Sequence, residues 1–548
     1  MRRFLWLLAA LLLAWPAPGQ AKLELKLDLE GYYRARWVHV GNVFDTEFMP
    51  NTSGVPVTPQ KSTDFLVHRV RVVPKLSLGD VASLYVQVDA LNNVVWGDND
   101  LATSSSPVFA TGTSNTNLLG ERIASVEVPR AWLELKLPVG QLRVGRMPSQ
   151  WGLGLLANDG NGFRNEFDEA YGGSTADRIL FATRPIQIFK ALRGDRTYKS
   201  NLVFAVGYDK IVEEPCEVKN GPIANCTLLS PEELWQRYQE DRTPGSQAFL
   251  ARPKNDVDQA VLVLLYNAEK IKLVRPDDQL VAGTYIVLRK QRRSFSKEAQ
   301  PDDVPDKGSF VGIYDAYVKA RVTRAYAEGE LLAIIGDTTG GVPLPPNSRK
   351  DVRLFGGVGR VGYVSPMLDA IFEAGYASGT GDLEGERFTQ RPLHPDYGVG
   401  LVLYRQVLRE RSYQVYSAFN ARGFSSQGGV IDSAYIFPRV RFRPPHPKLK
   451  GLELIVGVLA AWADKQDDRL FSPTLGGSGR RGKFLGTELD AALKYSFYED
   501  HLRFTFEGGY LVFGEQLRAV DPATGYPVPG DYWARGAWSL QSRIAYVF

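Results

Sequence analysis

The last segment of this 548-residue chain, 538–548, places large apolar side chains at most alternate positions and ends on an aromatic residue. Successive side chains of a β-strand point to opposite faces, so this ending predicts a strand with one apolar face. The same period of two recurs along the chain, for example where Leu23, Leu25, Leu27 and Leu29 alternate with charged residues. The pattern predicts an all-β chain. A barrel with lipid outside and water inside has this alternation, and so has a soluble sandwich.

The N-terminal segment has the order of a secretory signal. Two arginines precede an apolar run that ends at Trp15, and small residues follow up to Ala21. The run is shorter than the ~20 residues that a membrane helix needs, so cleavage is favoured over an uncleaved anchor. We therefore expect a signal peptide over 1–21 and one domain over 22–548. The longest later apolar stretch, 260–266, is also too short for a helical span, so a membrane-embedded chain must cross as strands.

The connections between the predicted strands alternate between short and long. Short turns are predicted near 78–80, 138–140, 323–325, 365–366, 409–410 and 498–500. Long polar loops are predicted near 41–62, 96–121, 151–178, 211–255, 379–396, 464–482 and 514–531. This layout predicts a single antiparallel transmembrane β-barrel of about 18–20 strands, with short periplasmic turns and long external loops. Two connections, 190–198 and 268–279, are longer than a periplasmic turn should be.

The end of the chain resembles the C-terminal signal by which bacterial outer-membrane barrels are recognised for insertion. Ile544, Tyr546 and Phe548 share one strand face, and Phe548 is the terminal aromatic residue. The resemblance implies a location in the bacterial outer membrane, with outer-membrane lipid and the barrel-assembly machinery as partners. A barrel of this size leaves an aqueous lumen unless something plugs it. Because alternation begins directly after the signal, no separate plug domain is expected, which disfavours a TonB-dependent receptor.

Cationic side chains are frequent on the polar face of the predicted strands. If the apolar face contacts lipid, the pore-lining candidates are Arg34, Arg36, Arg69, Arg71, Lys319, Arg321, Arg439, Arg441, Arg443 and Arg503. Guanidinium groups that face a lumen favour carboxylate- or phosphate-bearing solutes. The alternative is structural pairing with acids of the wall, namely Asp89, Glu134, Asp315, Glu373, Glu488 and Asp490. The formal net charge of +4, which falls to +2 without the two signal arginines, leaves both open and gives no reason to expect nucleic acid as a partner.

The glycine-rich segment 144–162 is the most distinctive part of the chain. It resembles the Gly-Arg…Trp-Gly strand and following loop of alginate-export-type porins, and more closely an uncharacterised outer-membrane family of myxobacteria and related deltaproteobacteria. The resemblance implies that Arg146 and residues 151–154 are barrel-wall or pore-mouth positions, which makes Arg146 a further pore-lining candidate. Pro148 departs from the alginate-type pattern, which argues against alginate as the substrate.

The loop 151–178 carries acidic side chains that would oppose the arginine rows if it folded inward. They are Asp159, Glu166, Asp168, Glu169 and Asp177. We hypothesise that this loop narrows the channel, and the alternative is a solvated surface loop. Removal of residues 158–177 would raise single-channel conductance in the first case and leave it unchanged in the second.

Catalytic and metal-binding chemistry is weakly represented. Cys216 and Cys226 lie in a polar segment, where an oxidising envelope favours a loop disulfide over a metal site or a nucleophile. Of the five histidines, His394 lies in a predicted external loop near Asp396, but its proline-rich surroundings favour a rigid loop over a catalytic site. Phosphate-binding glycine loops, Cys-x-x-Cys, His-Glu-x-x-His and calcium-loop spacings are absent from the sequence. The sequence predicts no enzyme activity and no cofactor.

Together these patterns predict an outer-membrane channel for passive diffusion of small hydrophilic solutes, with acidic sugars and other anions as candidates. Two alternatives stay open. One is a closed structural or adhesive barrel whose loops bind a partner, and the other is a polysaccharide export channel. The oligomeric state is left open as well.

Overall fold

The protein forms one closed antiparallel barrel of 18 strands, which confirms the predicted fold class. The computed structural model describes residues 24–43, 62–96, 126–161, 163–170, 172–211, 216–218, 226–228, 257–291, 308–338, 350–380, 387–412, 426–465, 482–517 and 536–548. Strands β1 to β7 are Leu25–Gly41, Ser62–Leu78, Ala82–Val95, Val126–Leu137, Gly140–Pro148, Thr175–Thr183 and Leu202–Ile211. Strands β10 to β15 are Val257–Ile271, Asp278–Gln291, Ser309–Val322, Ala325–Thr338, Lys350–Val364 and Leu368–Ala377. Strands β17 to β21 are Ser433–Phe442, Leu452–Ala463, Phe484–Phe497, Leu502–Phe513 and Ala537–Val547.

Three short strands lie outside this ring. Strands β8 (Cys216–Val218) and β9 (Cys226–Leu228) form a separate two-stranded sheet. Strand β16 (Arg387–Phe388) pairs in parallel with β14. The α-helix α1 (Pro185–Leu192) lies between β6 and β7. No helix in the described ranges is long and apolar enough to cross a membrane.

The first and last strands close the barrel. Strand β1 pairs with β21 from Tyr32 opposite Val547 to Gly41 opposite Trp538. Beyond the end of β21, Phe548 and Gly31 exchange a pair of backbone hydrogen bonds of 3.0 and 2.9 Å. Closure removes the unpaired edges that a sheet cannot leave in hydrocarbon.

The outer face of the barrel is apolar. Ile544, Tyr546 and Phe548 point outward, with 54, 53 and 39% of their surface exposed. Between them Arg543 and Ala545 are buried on the inner side, as strand alternation requires. Outward leucine, valine, isoleucine and aromatic side chains occur on strands around the barrel. So large an exposed apolar surface is stable in a bilayer rather than in water.

Connections alternate in length, so the long ones gather at one end of the barrel, the long-loop end, and the short ones at the other, the short-turn end. Strand β1 begins and β21 ends at the short-turn end, which fits an even number of strands. The two connections that are longer than a periplasmic turn should be, predicted at 190–198 and 268–279, also lie at the short-turn end. One contains α1, and the other, 272–277, joins β10 to β11.

The predicted short turn at 409–410 is wrong. The upper strand count of about 20 is therefore wrong as well, because the barrel has 18 strands. The chain there follows a π-helical turn, Leu403–Leu408, and lies inside the barrel. Leu401, Val402, Leu403 and Tyr404 are consecutive and all fully buried. A barrel strand buries only one of its two faces, so an apolar run buried on every side cannot belong to the wall.

Candidate functional site in the barrel lumen

The described parts of two long connections fold back into the lumen. Loop A comprises residues 149–174, between β5 and β6, and loop B comprises residues 378–432, between β15 and β17. Both contribute fully buried side chains to clusters shared with inward-facing residues of the wall. The inner site is therefore built from wall strands and these two loops together.

The start of loop A is held by one carboxylate of the wall. Glu330 of β13 accepts hydrogen bonds from the backbone nitrogens of Leu153, Gly154 and Leu155, at 2.5, 3.2 and 3.2 Å. Gly152 and Gly154 have φ values of +50° and +87°, a conformation that glycine adopts readily. This turn points successive N–H groups in one direction, which makes it a backbone site for an anionic oxygen.

The acids at the centre of loop A meet cations of the wall. Asp168 forms an ion pair of 2.8 Å with Arg36. Glu169 forms ion pairs of 2.5 Å with Arg34 and 3.0 Å with Arg543. All five side chains are buried. Buried charges are tolerated only when they are paired, so these contacts fix loop A against β1 and β21.

A second set of charges holds loop A against β17. Glu166 forms ion pairs with Arg439 and, at 3.0 Å, with Arg441. Arg439 also contacts Glu373 at 2.8 Å. The predicted arginine row at 439–443 therefore lies inside the barrel with carboxylates on both sides of it.

Arg405 of loop B ties the two loops together. Its guanidinium donates to the Asp168 carboxylate at 2.7 Å and to the backbone oxygens of Glu169 and Pro395, at 2.6 and 2.5 Å. Burial raises the pKa of Asp168, but Arg36 and Arg405 outweigh it and lower that pKa to about 2. Asp168 is therefore ionised at neutral pH and binds the wall and loop B at once.

Loop B itself is held mainly by apolar packing. Its fully buried residues include Val399, Val407 and Leu408 and the run 401–404. They share one cluster with wall residues of β1, β18, β19 and β20, namely Val38, Val40, Leu459, Leu485 and Leu511. This contact fills part of the lumen with closely packed apolar side chains.

One wall carboxylate also anchors loop B. Glu488 of β19 accepts hydrogen bonds from the backbone nitrogens of Leu401, Val402 and Leu403, at 2.6, 2.8 and 2.7 Å. These nitrogens lie at the start of the π-helical turn, where backbone donors lack partners within the helix. Glu488 thus holds the backbone of loop B in the same way as Glu330 holds the backbone of loop A.

His394 of loop B lies at the junction with loop A. Its backbone nitrogen donates to the Leu155 oxygen at 2.7 Å, and its ring nitrogen Nε2 lies 3.0 Å from the Ser174 hydroxyl. The Asp396 carboxylate accepts from the backbone nitrogen of Gly173 at 2.6 Å. Burial lowers the pKa of His394, against the opposing effect of Asp396, so the ring is neutral at neutral pH.

The other predicted lining residues are spread over the wall. Arg71 pairs with Asp89 at 2.7 Å, and Arg69 donates to Asn92 at 2.5 Å. Arg443 bridges Asp369 and Glu453, both at 2.8 Å. Many of the predicted lining arginines are thus paired structurally, which is the alternative that the sequence left open.

Three cations lie toward the short-turn end of the wall. Lys319 is 4.0 Å from Glu328. Arg503 donates to the Asp500 backbone oxygen at 3.2 Å and lies 5.0 Å from the Phe163 ring centre. Arg321 lies on the same strand face as Lys319 and is half-buried. Within the described residues, neither Arg321 nor Arg503 has a carboxylate partner.

Two predicted residues are misplaced, because Arg146 and Asp177 face outward. They form an ion pair of 2.8 Å across β5 and β6, and each side chain is 44% exposed. Arg146 shares the outer face with Val144, whereas its neighbour Met147 is buried. Arg146 therefore does not line the pore, and Asp177 belongs to a strand rather than to a constriction loop. Both lie close to the long-loop end, where strands leave the apolar layer and paired charges are tolerated.

The remaining acid candidate, Asp159, stays within loop A. Its carboxylate pairs with Arg164 at 2.9 Å. Its backbone oxygen accepts from Arg130 of β4 at 2.9 Å. Arg130 also donates to the backbone oxygens of Gly172 and Ser174, so it connects Asp159 to the C-terminal end of loop A.

The cysteine pair lies on the small two-stranded sheet. Cys216 is opposite Leu228, and Cys226 is opposite Val218. The disulfide between the two cysteines stays a prediction. Among the described residues, no group of histidine, cysteine, aspartate and glutamate side chains is arranged to hold a metal ion.

Sequence reasoning missed loop B and the anchors Glu330 and Arg405. The signal for loop B was present, because the run 401–404 is apolar without alternation, unlike the barrel strands. Glu330 lies between apolar neighbours in an ordinary alternating strand. Its role depends on a loop that is distant in the chain, so no local pattern could show it.

No family model matches this chain, and no curated protein is similar to it in sequence. Solved structures with a similar course of the chain include Pseudomonas aeruginosa OpdK with vanillate, with a TM-score of 0.45, 10% identity and coverage of 95% of this chain and 98% of that one. P. aeruginosa OccK2 (OpdF) in complex with glucuronate gives 0.44, 9%, 95% and 98%. Acinetobacter baumannii OccAB2 gives 0.46, 10%, 95% and 98%. The resemblance to alginate-export-type porins and to the myxobacterial family stays a prediction.

Proposed function

We propose that the protein is a channel of the bacterial outer membrane, through which small hydrophilic solutes diffuse along a passage restricted by loops A and B. One observation carries the proposal: a closed barrel with an apolar outer face surrounds two loops that are fastened to its charged inner wall. A soluble barrel would expose such an outer face to water, and a charged inner wall suits the passage of polar solutes.

The lining favours charged and hydrogen-bonding solutes. Cations and carboxylates lie side by side in the lumen, for example Arg439 and Glu373 of the wall with Glu166 of loop A. Many of the predicted lining cations are paired with carboxylates, so among them anion preference would depend on Arg321 and Arg503 toward the short-turn end. Acidic sugars and other small carboxylates are the solute class that we propose, with moderate selectivity over cations.

The proposal includes the orientation and the processing of the chain. The short-turn end would face the periplasm, as in barrels of this type. Residues 1–21 would be a signal peptide removed on export. Intact-mass measurement of the protein purified from outer membranes tests the cleavage site, since a mature chain that begins at Lys22 is expected.

A closed structural or adhesive barrel is the second candidate, and the close packing of loop B favours it. Val399, Val407 and Leu408 are fully buried and close their part of the lumen. Conductance separates the two functions. The mature protein, folded into detergent, is added to a planar bilayer under a salt gradient. Discrete current steps with a reversal potential that favours chloride are expected, and a correctly folded barrel without steps would establish the closed form.

A further inference from the structure

Two neighbouring connections at the short-turn end differ from the tight turns around them. One holds α1, between β6 and β7, and the other is 272–277, between β10 and β11. Because β7 pairs with β10, the two connections are adjacent around the barrel. The backbone nitrogen of Asn267 donates to the Asn201 oxygen at 2.8 Å. This hydrogen bond joins the two connections where they meet β7 and β10.

The segment that contains α1 is ordered by its own sequence. Pro185 lies in the first turn, where its missing N–H has no helical partner to lose. Gly194 ends the helix with a φ of +97°, and its nitrogen donates to the Ala191 oxygen at 3.1 Å. Asp195 then accepts from the backbone nitrogens of Thr197 and Tyr198, both at 3.2 Å. The helix therefore forms a fixed surface rather than a loose loop.

The apolar side of α1 faces away from the protein. Ile186, Phe189 and Leu192 are 40, 51 and 81% exposed, whereas Ile188 and Ala191 are half-buried. The helix has no buried residue. In the next connection Leu273 and Val274 are exposed as well. This apolar surface would be unfavourable in water, so it requires a covering medium.

Cations surround these apolar side chains. They are Arg184, Lys190, Arg193, Arg196 and Lys199 near α1, with Lys272 and Arg275 in the second connection. The Arg193 guanidinium lies 4.1 Å from the ring centre of Phe189, and the Lys190 ammonium lies 5.7 Å from that of Tyr198. These seven cations face two acids in the same connections, namely Asp195, which accepts hydrogen bonds from Thr197 and Tyr198, and the exposed Asp277. Charge complementarity therefore points to an anionic partner.

The position of α1 identifies the medium that covers its apolar side chains. The outward side chains of Ile179 on β6 and Phe204 on β7 are exposed and continue the apolar outer face toward α1. The helix thus begins where the apolar face of the barrel ends, at the level where lipid tails give way to headgroups. Amphipathic basic helices lie at that level, with apolar side chains among the tails and cations among the headgroup phosphates.

We propose that the basic patch, residues 184–199 with 272–275, docks on the membrane surface and binds anionic phospholipid headgroups. The inference rests on the proposed membrane location but not on channel activity. The apolar side chains insert at the edge of the bilayer beside β6 and β7, and the surrounding cations bind lipid phosphates. The patch thereby fixes the height and tilt of the barrel on one side.

The test uses the whole mature chain with Cys216→Ser and Cys226→Ser, labelled with an environment-sensitive fluorophore at Leu192→Cys. The control carries the same label at Glu499→Cys, in the tight turn between β19 and β20 at the same end. Both are folded into phosphatidylcholine vesicles with and without phosphatidylglycerol, and quenching by spin-labelled lipid is compared with quenching by iodide. Heat-modified electrophoretic mobility verifies folding.

We expect lipid quenching at position 192 to exceed that at position 499 by at least about twofold, and to rise with phosphatidylglycerol. The triple variant Arg193→Gln, Arg196→Gln and Lys199→Gln should lose the rise. Iodide quenching of position 192 equal to that of position 499 would overturn the proposal and indicate a protein partner instead. The proposal would also be overturned if lipid quenching at position 192 were unchanged by phosphatidylglycerol and by the triple variant. The apolar face alone would then explain docking. A folded barrel that conducts no current would contradict the proposed channel and leave this result intact.

Discussion

Loops A and B share one lumen but are held there by different forces. Loop A is fastened by ion pairs, with Asp168 and Glu169 bound to Arg34 and Arg36 of the wall. Loop B is fastened by apolar packing around the run 401–404. Ion pairs weaken when a partner is neutralised, whereas apolar packing is insensitive to charge and is destroyed by a polar group placed inside it. The two loops should therefore respond to different perturbations.

The largest effect is expected where a charge is placed in the apolar part of loop B. Leu403→Asp removes a fully buried side chain and leaves a lone carboxylate close to Glu488. We expect a loss of about 4 kcal/mol or more in the stability of the inward position, with loop B cleaved rapidly by trypsin. Leu449→Asp, at an exposed site of the short-turn end, serves as the control. Equal protease resistance of the two variants would contradict the packing described for loop B.

Removal of one charge should loosen loop A. Asp168→Asn leaves Arg36 and Arg405 buried without their carboxylate, at an expected cost of about 3 kcal/mol. The matched control in the same loop is Asp159→Asn, whose partner Arg164 is exposed, and a change of less than about 1 kcal/mol is expected. Thermal unfolding followed by electrophoretic mobility measures both. Equal shifts would show that the buried pairs contribute no more than the surface pair.

The junction of the loops should weaken in mild acid before loop A loses its ion pairs. Burial lowers the pKa of His394 below 6.5, so the folded state binds fewer protons than the unfolded state, and the stabilisation present above pH 6.5 declines as pH falls. Asp168, whose pKa is lowered from 3.8 to about 2, keeps its charge over that range. We expect the temperature of thermal unfolding, followed by electrophoretic mobility, to fall progressively between about pH 6.5 and 4. His394→Gln should flatten this profile, and an unchanged profile would exclude His394 as its cause.

The smallest effect is expected at Arg146, on the outer face. Arg146→Gln breaks a half-exposed pair with Asp177, so a stability change below about 1 kcal/mol is expected. Conductance and reversal potential should equal those of the wild-type protein. Arg441→Gln, inside the barrel, is the matched comparison and should change the reversal potential. A shift caused by Arg146→Gln would return that residue to the pore lining.

Sequence alternation predicted the barrel because the wall strands bury one face and expose the other along their whole length. It also placed acids in loop A opposite arginines of the wall, since opposite charges on a polar surface have few other partners. Arg146 was assigned to the pore lining through the resemblance of segment 144–162 to other porins, and this was wrong because a shift of one position moves a strand residue to the other face. The register of β5 is set by its pairing with β4 and β6, which the local pattern does not contain.

The inward position of loop B could not be predicted for a different reason. A turn predicted at 409–410 implies barrel strands on both sides of it, because an apolar run in a barrel sequence is most simply assigned to a strand. What distinguishes it is the surrounding lumen, which supplies apolar partners from β1, β18, β19 and β20. Those partners come from strands at opposite ends of the chain. The fold must be assembled before the inward position of loop B can be recognised.

Shortened loops can be built without stretching the chain. The backbones of Gly160 and Gly173 lie against each other, since a methyl group on Gly160 would fall 2.6 Å from the Gly173 nitrogen. Residues 161–172 can therefore be removed from loop A while β6 is kept intact. In loop B the Leu393 nitrogen donates to the Val430 oxygen at 2.8 Å, so residues 395–428 can be removed by joining His394 to Gly429.

The most direct test of the account is the single-channel conductance of the wild-type protein, the two shortened proteins and the protein that carries both deletions. If the loops restrict a passage through the barrel, each deletion should raise conductance at least about twofold, and the double deletion should raise it most. If all four folded proteins have the same conductance, or none conducts, the loops do not control a passage and the proposed channel is wrong.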